Sequence, residues 1–352
     1  MSISKNPDNI ILEYIWIDGI GELRSKYRTV PMGEELSIDK WNYDGSSTYQ
    51  ADTENSEIVL NPVAFYPNPF FEEGRSLLVL CDTYTTNDQG TYKPTLTNRR
   101  VYANEIFNKA LDKKPWFGIE QEYFMMSPCE TLASYTPFAM AGRLTPKQQG
   151  DYYCGVGNQH VQFRALAEKH YLYCLKAGLK ISGINAEVAP NQWEFQIGPC
   201  EGISAGDQLW VARYILHKLS EEFGVNICFK PKPLSNPWNG SGLHTNFSTL
   251  DTRADGGLEV IYQYMKLLEP KHMEHIAIYG DNSERLNGTC ETSQIDKFSW
   301  NAGHRGCSIR IPRSVLQDRK GYFEDRRPAS NADPYQVIGI LFQTCCLQAN
   351  RE

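Results

Sequence analysis

Glu120, Glu122, Glu187, Glu194, Glu324 and His244 are the residues whose types and spacing point most directly to chemistry. In Phe117-Gly-Ile-Glu-Gln-Glu-Tyr-Phe124 the apolar flanks read as a strand. Side chains alternate across a strand, so Glu120 and Glu122 share one face about 7 Å apart while Ile119 and Tyr123 take the other. In Asn185-Ala-Glu-Val-Ala-Pro-Asn-Gln-Trp-Glu-Phe-Gln-Ile197 a hairpin centred between Pro190 and Asn191 sets Glu187 directly opposite Glu194, with Cβ atoms about 5 Å apart, where like charges repel. Something positive must sit between them. Two such pairs in otherwise apolar strands are expensive to bury unless they coordinate cations. Oxygen ligands favour Mg²⁺ or Mn²⁺, and one imidazole tilts a site toward accepting Mn²⁺. The imidazole candidate is His244 in Asn239-Gly-Ser-Gly-Leu-His-Thr-Asn-Phe-Ser248, whose glycines allow a ligand close to the backbone.

No Gly-x-x-x-x-Gly-Lys-Ser/Thr loop occurs, so nucleotide phosphates must be held by metal ions and arginines. Arginines are available in Gly303-His-Arg-Gly-Cys-Ser-Ile-Arg-Ile-Pro-Arg313 and in Gly321-Tyr-Phe-Glu-Asp-Arg-Arg-Pro328, the stretch that holds Glu324. Arg310 alternates with Ile309 and Ile311, which makes one face cationic and the other apolar. Guanidinium forks suit carboxylate and phosphate equally. Each feature alone has a blander reading: a lone Glu-x-Glu is ordinarily a solvated face, and an isolated histidine a satisfied one. His272 and His275 have ligand-like spacing, but their Glu and Lys neighbours make an exposed helix face the better reading. The joint occurrence points to divalent cations held against a phosphorylated substrate.

The elements that must position these residues are partly legible. Ile11–Asp18 and Leu23–Val30 read as two strands joined by the glycine turn Asp18-Gly-Ile-Gly21, and Leu77–Cys81 as another, giving a small β-rich first domain. The polar stretch Thr83–Pro94 reads as a connection, after which Thr97 caps a helix through Val101, Ile106 and Leu111. The boundary is placed there, dividing the chain into residues 1–95 and 96–352. Ser204-Ala-Gly-Asp207 resembles a capping box. Leu209, Ala212, Ile215, Leu216, Leu219 and Phe223 then recur at helical spacing until Gly224. Further helices are expected from about Val161 to Gly178, from Leu258 with a break at Pro270, and from Asp333-Pro334.

At 352 residues the chain is long for one domain, and its hydrophobic fraction of 41% suffices for a core. The formal charge of -7 is spread out, with no Lys/Arg run beyond pairs such as Arg99-Arg100, so no nucleic-acid partner is expected. No apolar run approaches membrane-spanning length, and Met1–Asp8 lacks the features of a signal or transit peptide, so the expectation is a cytoplasmic protein with no membrane partner. The ten cysteines are scattered with no Cys-x-x-Cys, and read as free thiols in a reducing compartment. The sequons at Asn239, Asn246 and Asn287 then carry no meaning.

Several longer motifs share one source. Trp41-Asn-Tyr-Asp-Gly-Ser-Ser47, Pro115-Trp-Phe-Gly-Ile-Glu-Gln-Glu-Tyr123, Asn185-Ala-Glu-Val188, Gln192-Trp-Glu-Phe-Gln-Ile-Gly-Pro-Cys-Glu-Gly202, Leu243-His-Thr-Asn-Phe-Ser-Thr249 and Lys320–Pro328 closely resemble glutamine synthetase of the eukaryotic type, from about Ile11 to Leu347. The resemblance implies an α+β protein: a small N-terminal β-grasp-like domain followed by a larger catalytic α/β domain with an antiparallel sheet. It implies ATP-dependent ligation of ammonia to the γ-carboxylate of L-glutamate through γ-glutamyl phosphate. It also implies a homo-oligomer, a decamer of two pentameric rings, with active sites at subunit interfaces.

Residue by residue, the resemblance assigns Glu122, Glu187 and Glu194 to one metal and Glu120, His244 and Glu324 to another. It places Arg285 and Arg326 on the substrate glutamate, with Trp238, Asn239 and Gly240 lining that pocket. Arg305 and Arg310 face the phosphates, and Trp116, Asn246, Ser248, Arg253 and Tyr322 the nucleotide. It gives Asp44, from a neighbouring subunit, to ammonium, and Glu291 to a flap over the intermediate, with Arg305 also counted as catalytic. The chain departs from the family at Pro237, commonly Asn, and at Cys290, commonly His, and its segment Asp281–Arg285 is short. Two alternatives remain: a γ-glutamyl ligase for an organic amine, and a non-catalytic structural relative. Retention of Asp44 and Glu291 opposes the first, and intact metal carboxylates oppose the second.

Overall fold

The computed structural model describes residues 9–31, 36–86, 89–127, 151–157, 160–234 and 238–347. They fall into two compact units, the described part of Met1–Tyr102 with Tyr173–Leu179, and that of Ala103–Leu172 with Lys180–Glu352.

The first unit is a six-stranded sheet: β1 (Asn9–Ile17), β2 (Leu23–Pro31), β3 (Trp41–Asp44), β4 (Glu57–Pro67), β5 (Ser76–Thr86) and β6 (Tyr92–Pro94). The order is β2-β1-β5-β4-β3, with β6 added to β5. The expected first hairpin forms. Its turn closes on the buried Asp18 carboxylate, which accepts from the Ile20 and Glu22 amides at 2.9 Å each and from Arg24 Nε at 2.8 Å. Alternation along β1 sends Leu12, Tyr14 and Trp16 to a core shared with Ile58, Leu60, Val79 and Cys81. The stretch Thr83–Pro94 is no free connection: β5 runs on to Thr86, and β6 pairs back onto it from Tyr84 to Thr86. Its polar residues line a sheet edge, which tolerates them.

The second unit is built on eight strands: β7 (Trp116–Met126), β8 (Ile181–Ala186), β9 (Gln192–Glu201), β10 (Asn226–Cys228), β11 (Leu243–Ser248), β12 (Trp300–Ala302), β13 (Ile309–Ile311) and β14 (Phe323–Asp325). Their order is β12-β13-β14-β11-β7-β9-β8, with β10 on β7. Every pair is antiparallel except β12 with β13. The reverse face is apolar: the Phe117, Phe247 and Phe323 rings follow one another at centroid distances of 5.1 and 5.6 Å. Apolar packing fixes which side of each strand must turn away from it.

The helices are α1 (Arg99–Phe107), α2 (Arg164–Lys176), α3 (Ser204–Phe223), α4 (Leu250–Arg253), α5 (Gly257–Leu268), α6 (His272–Ile276), α7 (Arg313–Asp318) and α8 (Pro334–Phe342). The long α3 ends at the left-handed Gly224 as expected, and α8 starts on Asp333, whose side chain accepts from the Tyr335 and Gln336 amides. The capping box at Ser204 does not form: Ile203 is the cap residue without a side-chain bond, and Ser204 Oγ accepts from Gln208 Nε2 at 3.0 Å. Helix α1 stops at Phe107 rather than passing Leu111, which opens a separate 3-10 turn. Phe163, at φ +57°, delays α2 to Arg164. Among the described residues no helix is long and apolar enough to cross a membrane, and the described cysteines are free, six of them buried.

The reading of His272 and His275 as an exposed helix face is overturned. Both are buried: His272 Nε2 lies 2.9 Å from the Ile295 carbonyl, and His275 lies 2.7 Å from the Tyr279 hydroxyl and 2.9 Å from Thr344 Oγ1. The charged neighbours Lys271 and Glu274 pair with each other on the other side of the helix.

His170, wholly buried against the Ala212 carbonyl, is pushed down by burial to about 4. It is neutral in the fold and protonates in the unfolded chain near 6.5. Its contribution to stability is therefore complete above pH 6.5 and is lost as pH falls toward 4, on the order of 1–3 kcal/mol for one buried imidazole. The urea midpoint of His170→Gln is expected to drop less than that of the wild type between pH 7 and pH 5; equal drops would show that this histidine does not contribute.

Candidate active site

Register alone brings the ligand candidates together on the face opposite the phenylalanines. Arg310 pairs with Glu324, Glu324 with Asn246, and Asn246 with Gly118, in one row across β13, β14, β11 and β7. The next row is His244, Glu120, Gln196 and Gly183, across β11, β7, β9 and β8; the next holds Glu122, Glu194 and Asn185. Strand alternation thus places Glu120 and Glu122 on one face, as expected.

The proposed hairpin register is corrected. Glu194 stands opposite Asn185, not Glu187; Glu187 pairs its amide with the Gln192 carbonyl at 2.8 Å. The turn itself falls at Pro190-Asn191, closed by Gln192 N on the Ala189 carbonyl with Asn191 at φ +56°, but the β8 side carries two extra residues before pairing resumes. A partner shift of two residues preserves the face, so Glu187 and Glu194 remain neighbours. The residue directly opposite Glu194 on its other side is Glu122.

His244 Nδ1 lies 3.5 Å from Glu120 Oε2 and 3.7 Å from both Glu122 Oε1 and Glu324 Oε1. Glu120, Glu194 and His244 each offer a ligand atom within 4.8 Å of the others. The crowding shows in the electrostatics. Burial, then the Glu187 charge, pushes Glu122 up to about 8. Burial pushes Glu187 to about 7, and burial with Glu120, Glu187 and Glu122 raises Glu194 well above the carboxylate range. Burial and then Arg326 hold His244 well below its ordinary value, leaving a neutral imidazole, the form that ligates. Carboxylates that repel and a neutral imidazole among them make a donor set suited to a hard divalent cation.

A cleft of about 450 Å³ opens beside this cluster and includes Glu120 in its wall. Trp116, Asn246, Ser248, Arg253 and Tyr322 line it, with Gly118, Ser182 and Gln196. Trp116 and Tyr322 are each 41% exposed, leaving aromatic faces open for stacking. Arg253 lies 4.0 Å over the Trp116 ring and bonds Ser248 Oγ at 2.9 Å. Arg305 and Arg310 are not in its wall: Arg310 pairs with Glu324 at 3.0 Å and Arg305 with Glu291 at 3.1 Å.

The glutamate-pocket candidates form a second group. Arg285 is buried and donates to the Arg326 carbonyl at 3.0 Å and the Arg327 carbonyl at 3.1 Å, while Arg326 grips Glu324 at 2.6 Å. A Cβ on Gly240 would meet the Pro231 carbonyl oxygen at 2.4 Å, and one on Gly242 would meet Arg285 Nη2 at 2.5 Å and His244 Nε2 at 2.8 Å. The glycines thus make room for the protein's own guanidinium and imidazole. Trp238 packs edge-on against Tyr152 at 5.8 Å, and the buried Asn239 Oδ1 has no partner among the described residues.

Pro237 lies outside the described residues. Cys290 and Glu291 are consecutive non-glycine residues at φ +49° and +65°, a conformation of stored strain, with Glu291 tied to Arg305. Asp44 lies in the first unit at the end of β3. There the Ser46 and Ser47 hydroxyls, at 2.7 Å each, and the Ser46 amide hold its carboxyl down at about 2.

Four further residues escape a motif reading. Tyr153 shares a hydrogen bond with Arg305 and lies near the Glu187 charge. Gln192 Nε2 reaches Glu122 Oε2 at 3.3 Å and the Gly240 carbonyl at 2.9 Å. Asn185 and Gln196 contact Glu187 and Glu194. The period-two spacing of Asn185 to Glu187 and of Glu194 to Gln196 was the available signal.

A small sheet domain ahead of a largely antiparallel sheet whose polar face carries clustered carboxylates, arginines and an aromatic-walled cleft is an α+β protein with a site suited to a cation and an anionic ligand. Residues 9–86 match the family model described as glutamine synthetase, beta-Grasp domain, and residues 99–258 the one described as glutamine synthetase, catalytic domain. A glutamine synthetase of Emericella nidulans is 51% identical over 342 residues, covering 96% of this chain and 93% of its own. That of Saccharomyces cerevisiae is 51% identical over 341 residues, covering 96% and 89%. Glutamine synthetase 2 cytoplasmic of Drosophila melanogaster is 50% identical over 351 residues, covering 97% and 92%. A cryo-EM structure of Plasmodium falciparum glutamine synthetase shares the fold at a TM-score of 0.76 and 16% identity, covering 99% of this chain and 74% of that one. The chain belongs to the glutamine synthetase family. Its activity is that of a glutamate–ammonia ligase, ATP-dependent and ADP-forming.

Gly242→Ala drives a methyl into both Arg285 and His244. The expected result is a fall in kcat/KM for glutamate on the order of a hundredfold, with the KM for ATP little changed. Unaltered glutamate kinetics would show that the close approach has no role.

Proposed function

We propose that the carboxylate cluster is a divalent-metal centre, with Glu122, Glu187 and Glu194 holding one Mg²⁺ or Mn²⁺ ion and Glu120, His244 and Glu324 another. The observation that carries this reading is that Glu120 belongs at once to the nucleotide-sized cleft and to the carboxylate–imidazole cluster. Bound there, the cations would neutralise charge on the phosphoryl group in transfer. The cleft residues Trp116, Asn246, Ser248, Arg253 and Tyr322 hold the nucleotide, and Arg305 and Arg310 steady its phosphates. Arg285 and Arg326, with Trp238, Asn239 and Gly240, orient glutamate; the unpartnered Asn239 Oδ1 offers an acceptor for an α-ammonium group.

The γ-carboxylate oxygen attacks the γ-phosphorus of ATP, the bond to the β-phosphate oxygen breaks, and ADP leaves γ-glutamyl phosphate behind. Ammonium then docks on Asp44 of a neighbouring copy, a carboxylate whose depressed pKa keeps it ionised as a cation site, and loses a proton through that carboxylate to solvent before it attacks. Ammonia adds to the γ-carbon, the C–O bond to phosphate breaks, the departing phosphate takes the proton the nitrogen sheds, and glutamine forms. Glu291, poised on strained backbone, closes over the acyl phosphate and keeps water from it. We further propose a cytoplasmic homo-oligomer, two stacked pentamers, with domains 1–95 and 96–352.

Incubation with glutamate, ATP, Mg²⁺ and either ammonium or a panel of amines is expected to give glutamine and phosphate in equal amounts with ammonium. Product with an organic amine alone would favour the alternative ligase, and no product with either would favour the non-catalytic relative. Glu291→Ala is expected to release phosphate in excess over glutamine, measured in the same assay; wild-type coupling would remove the flap role. Asp44→Asn should raise the KM for ammonium by about tenfold or more while moving that for ATP less than about twofold. Parallel losses of both would contradict its assignment.

A further inference from the structure

Four side chains on the neighbouring strands β8 and β9 and at the residue just past β8 form one continuous hydrogen-bond chain. Asn185 Nδ2 donates to Glu187 Oε1 at 2.9 Å, Gln196 Nε2 donates to Asn185 Oδ1 at 2.8 Å, and the same Gln196 nitrogen donates to Glu194 Oε1. The directions are forced. As ionised ligands of a cation Glu187 and Glu194 accept only, so Asn185 must turn its amide nitrogen to Glu187, which leaves its oxygen toward Gln196. Gln196 must then present its nitrogen, and its two N–H bonds are divided between Asn185 and Glu194. No flipped amide satisfies the chain.

The backbone is shaped for this arrangement. Gly183 lies directly opposite Gln196, and a Cβ at Gly183 would stand 2.6 Å from Gln196 Oε1. Ser182 beside it is the extra residue of a bulge between the Ile181 and Gly183 pairs. Gly183 has no positive φ that would require glycine. What it supplies is space for the far end of one glutamine.

We propose that Asn185 and Gln196 are positioning residues that yoke Glu187 to Glu194, fixing the separation of two carboxylates of the metal centre before the cation arrives, and that Gly183 is retained to seat Gln196. The inference rests on the metal-centre reading above. Amides that orient ligating carboxylates are worth about 10–100-fold in metal affinity.

The test is Mn²⁺ binding to the full chain without nucleotide, followed by electron paramagnetic resonance of free Mn²⁺, for the wild type, Gly183→Ala, Gln196→Ala and the double variant, with metal-free urea midpoints alongside. Gly183→Ala and Gln196→Ala are each expected to weaken Mn²⁺ binding by about tenfold while the metal-free midpoint stays at that of the wild type. The double variant should be no weaker than Gln196→Ala, because the added methyl acts only by displacing that glutamine. Asn185→Asp, which turns an acceptor toward Glu187, should weaken binding as well and serves if Gln196→Ala does not fold. Wild-type affinity in the variants, or losses that add in the double variant, would overturn the yoke while leaving the metal centre standing. No Mn²⁺ binding by the wild type would overturn both.

Discussion

Like charges crowded onto one face of one sheet govern the rest of the second unit. Glu120, Glu122 and Glu194 stand at adjacent register positions, with Glu187 and Glu324 at the margins. In water such carboxylates would spread apart; on a strand their spacing is set by the backbone, and burial strengthens the repulsion. The protein compensates in two ways. Arg310 and Arg326 clamp Glu324, while the hydrogen bonds described to Glu120, Glu122, Glu187 and Glu194 come from amides, with Arg285 and Arg326 acting on Glu122 and Arg305 on Glu187 only through their charge. The cluster is thus left short of positive charge on its β7–β9 side, where Glu122, Glu187 and Glu194 are all raised. That asymmetry marks where a cation bound as proposed above would gain most.

A face so poor in self-attraction must be held from behind. The ring series Phe117, Phe247 and Phe323 runs under β7, β11 and β14. Strand β14 adds a second anchor: Glu324 points to the cluster, while the next residue, Asp325, is wholly buried against Arg327 at 2.7 Å and accepts from the Tyr279 hydroxyl at 2.9 Å. Tyr279 continues to His275 and Thr344. A buried ion pair is a weak source of net stability, because desolvation of both charges offsets most of their attraction. Its value here is directional. A strand of three residues has few ladder bonds, and the Asp325–Arg327 pair fixes which way its remaining side chains face.

Period-two alternation made the Glu120/Glu122 face legible, and the apolar period made α3 legible, because both are local and repeat over several residues. Whatever depended on a turn or on distant partners was not. The hairpin symmetry that put Glu187 opposite Glu194 assumed even pairing out of a turn at Pro190-Asn191; the turn forms there, but the β8 side carries two extra residues before pairing resumes. His272 and His275 looked solvent-facing because Lys271 and Glu274 flank them. Two of their partners, Arg327 and Thr344, lie over fifty residues away in sequence. The Ser204 cap failed for a similar reason: its hydroxyl is taken by Gln208, whose own carbonyl oxygen accepts the Lys180 amide. Asn185 and Gln196 went unnoticed because neutral amides carry no charge pattern, although they sit at the same two-residue spacing as the glutamates they serve.

The glycines draw these threads together. Read from sequence, Gly240 and Gly242 suggested a backbone left bare for a ligand. In the structure the space of each missing Cβ is bounded by protein atoms: the Pro231 carbonyl at Gly240, and Arg285 and His244 at Gly242. Gly183 does the same for Gln196. A bare backbone bordering a site therefore need not face the substrate. When long charged or amide side chains must converge on a small volume from adjacent strands, something on the neighbouring strand has to be absent, and glycine is the only residue that supplies that absence without giving up the strand's hydrogen bonds. At Gly183 and Gly242 the glycine marks where a long side chain is seated beside the carboxylate cluster.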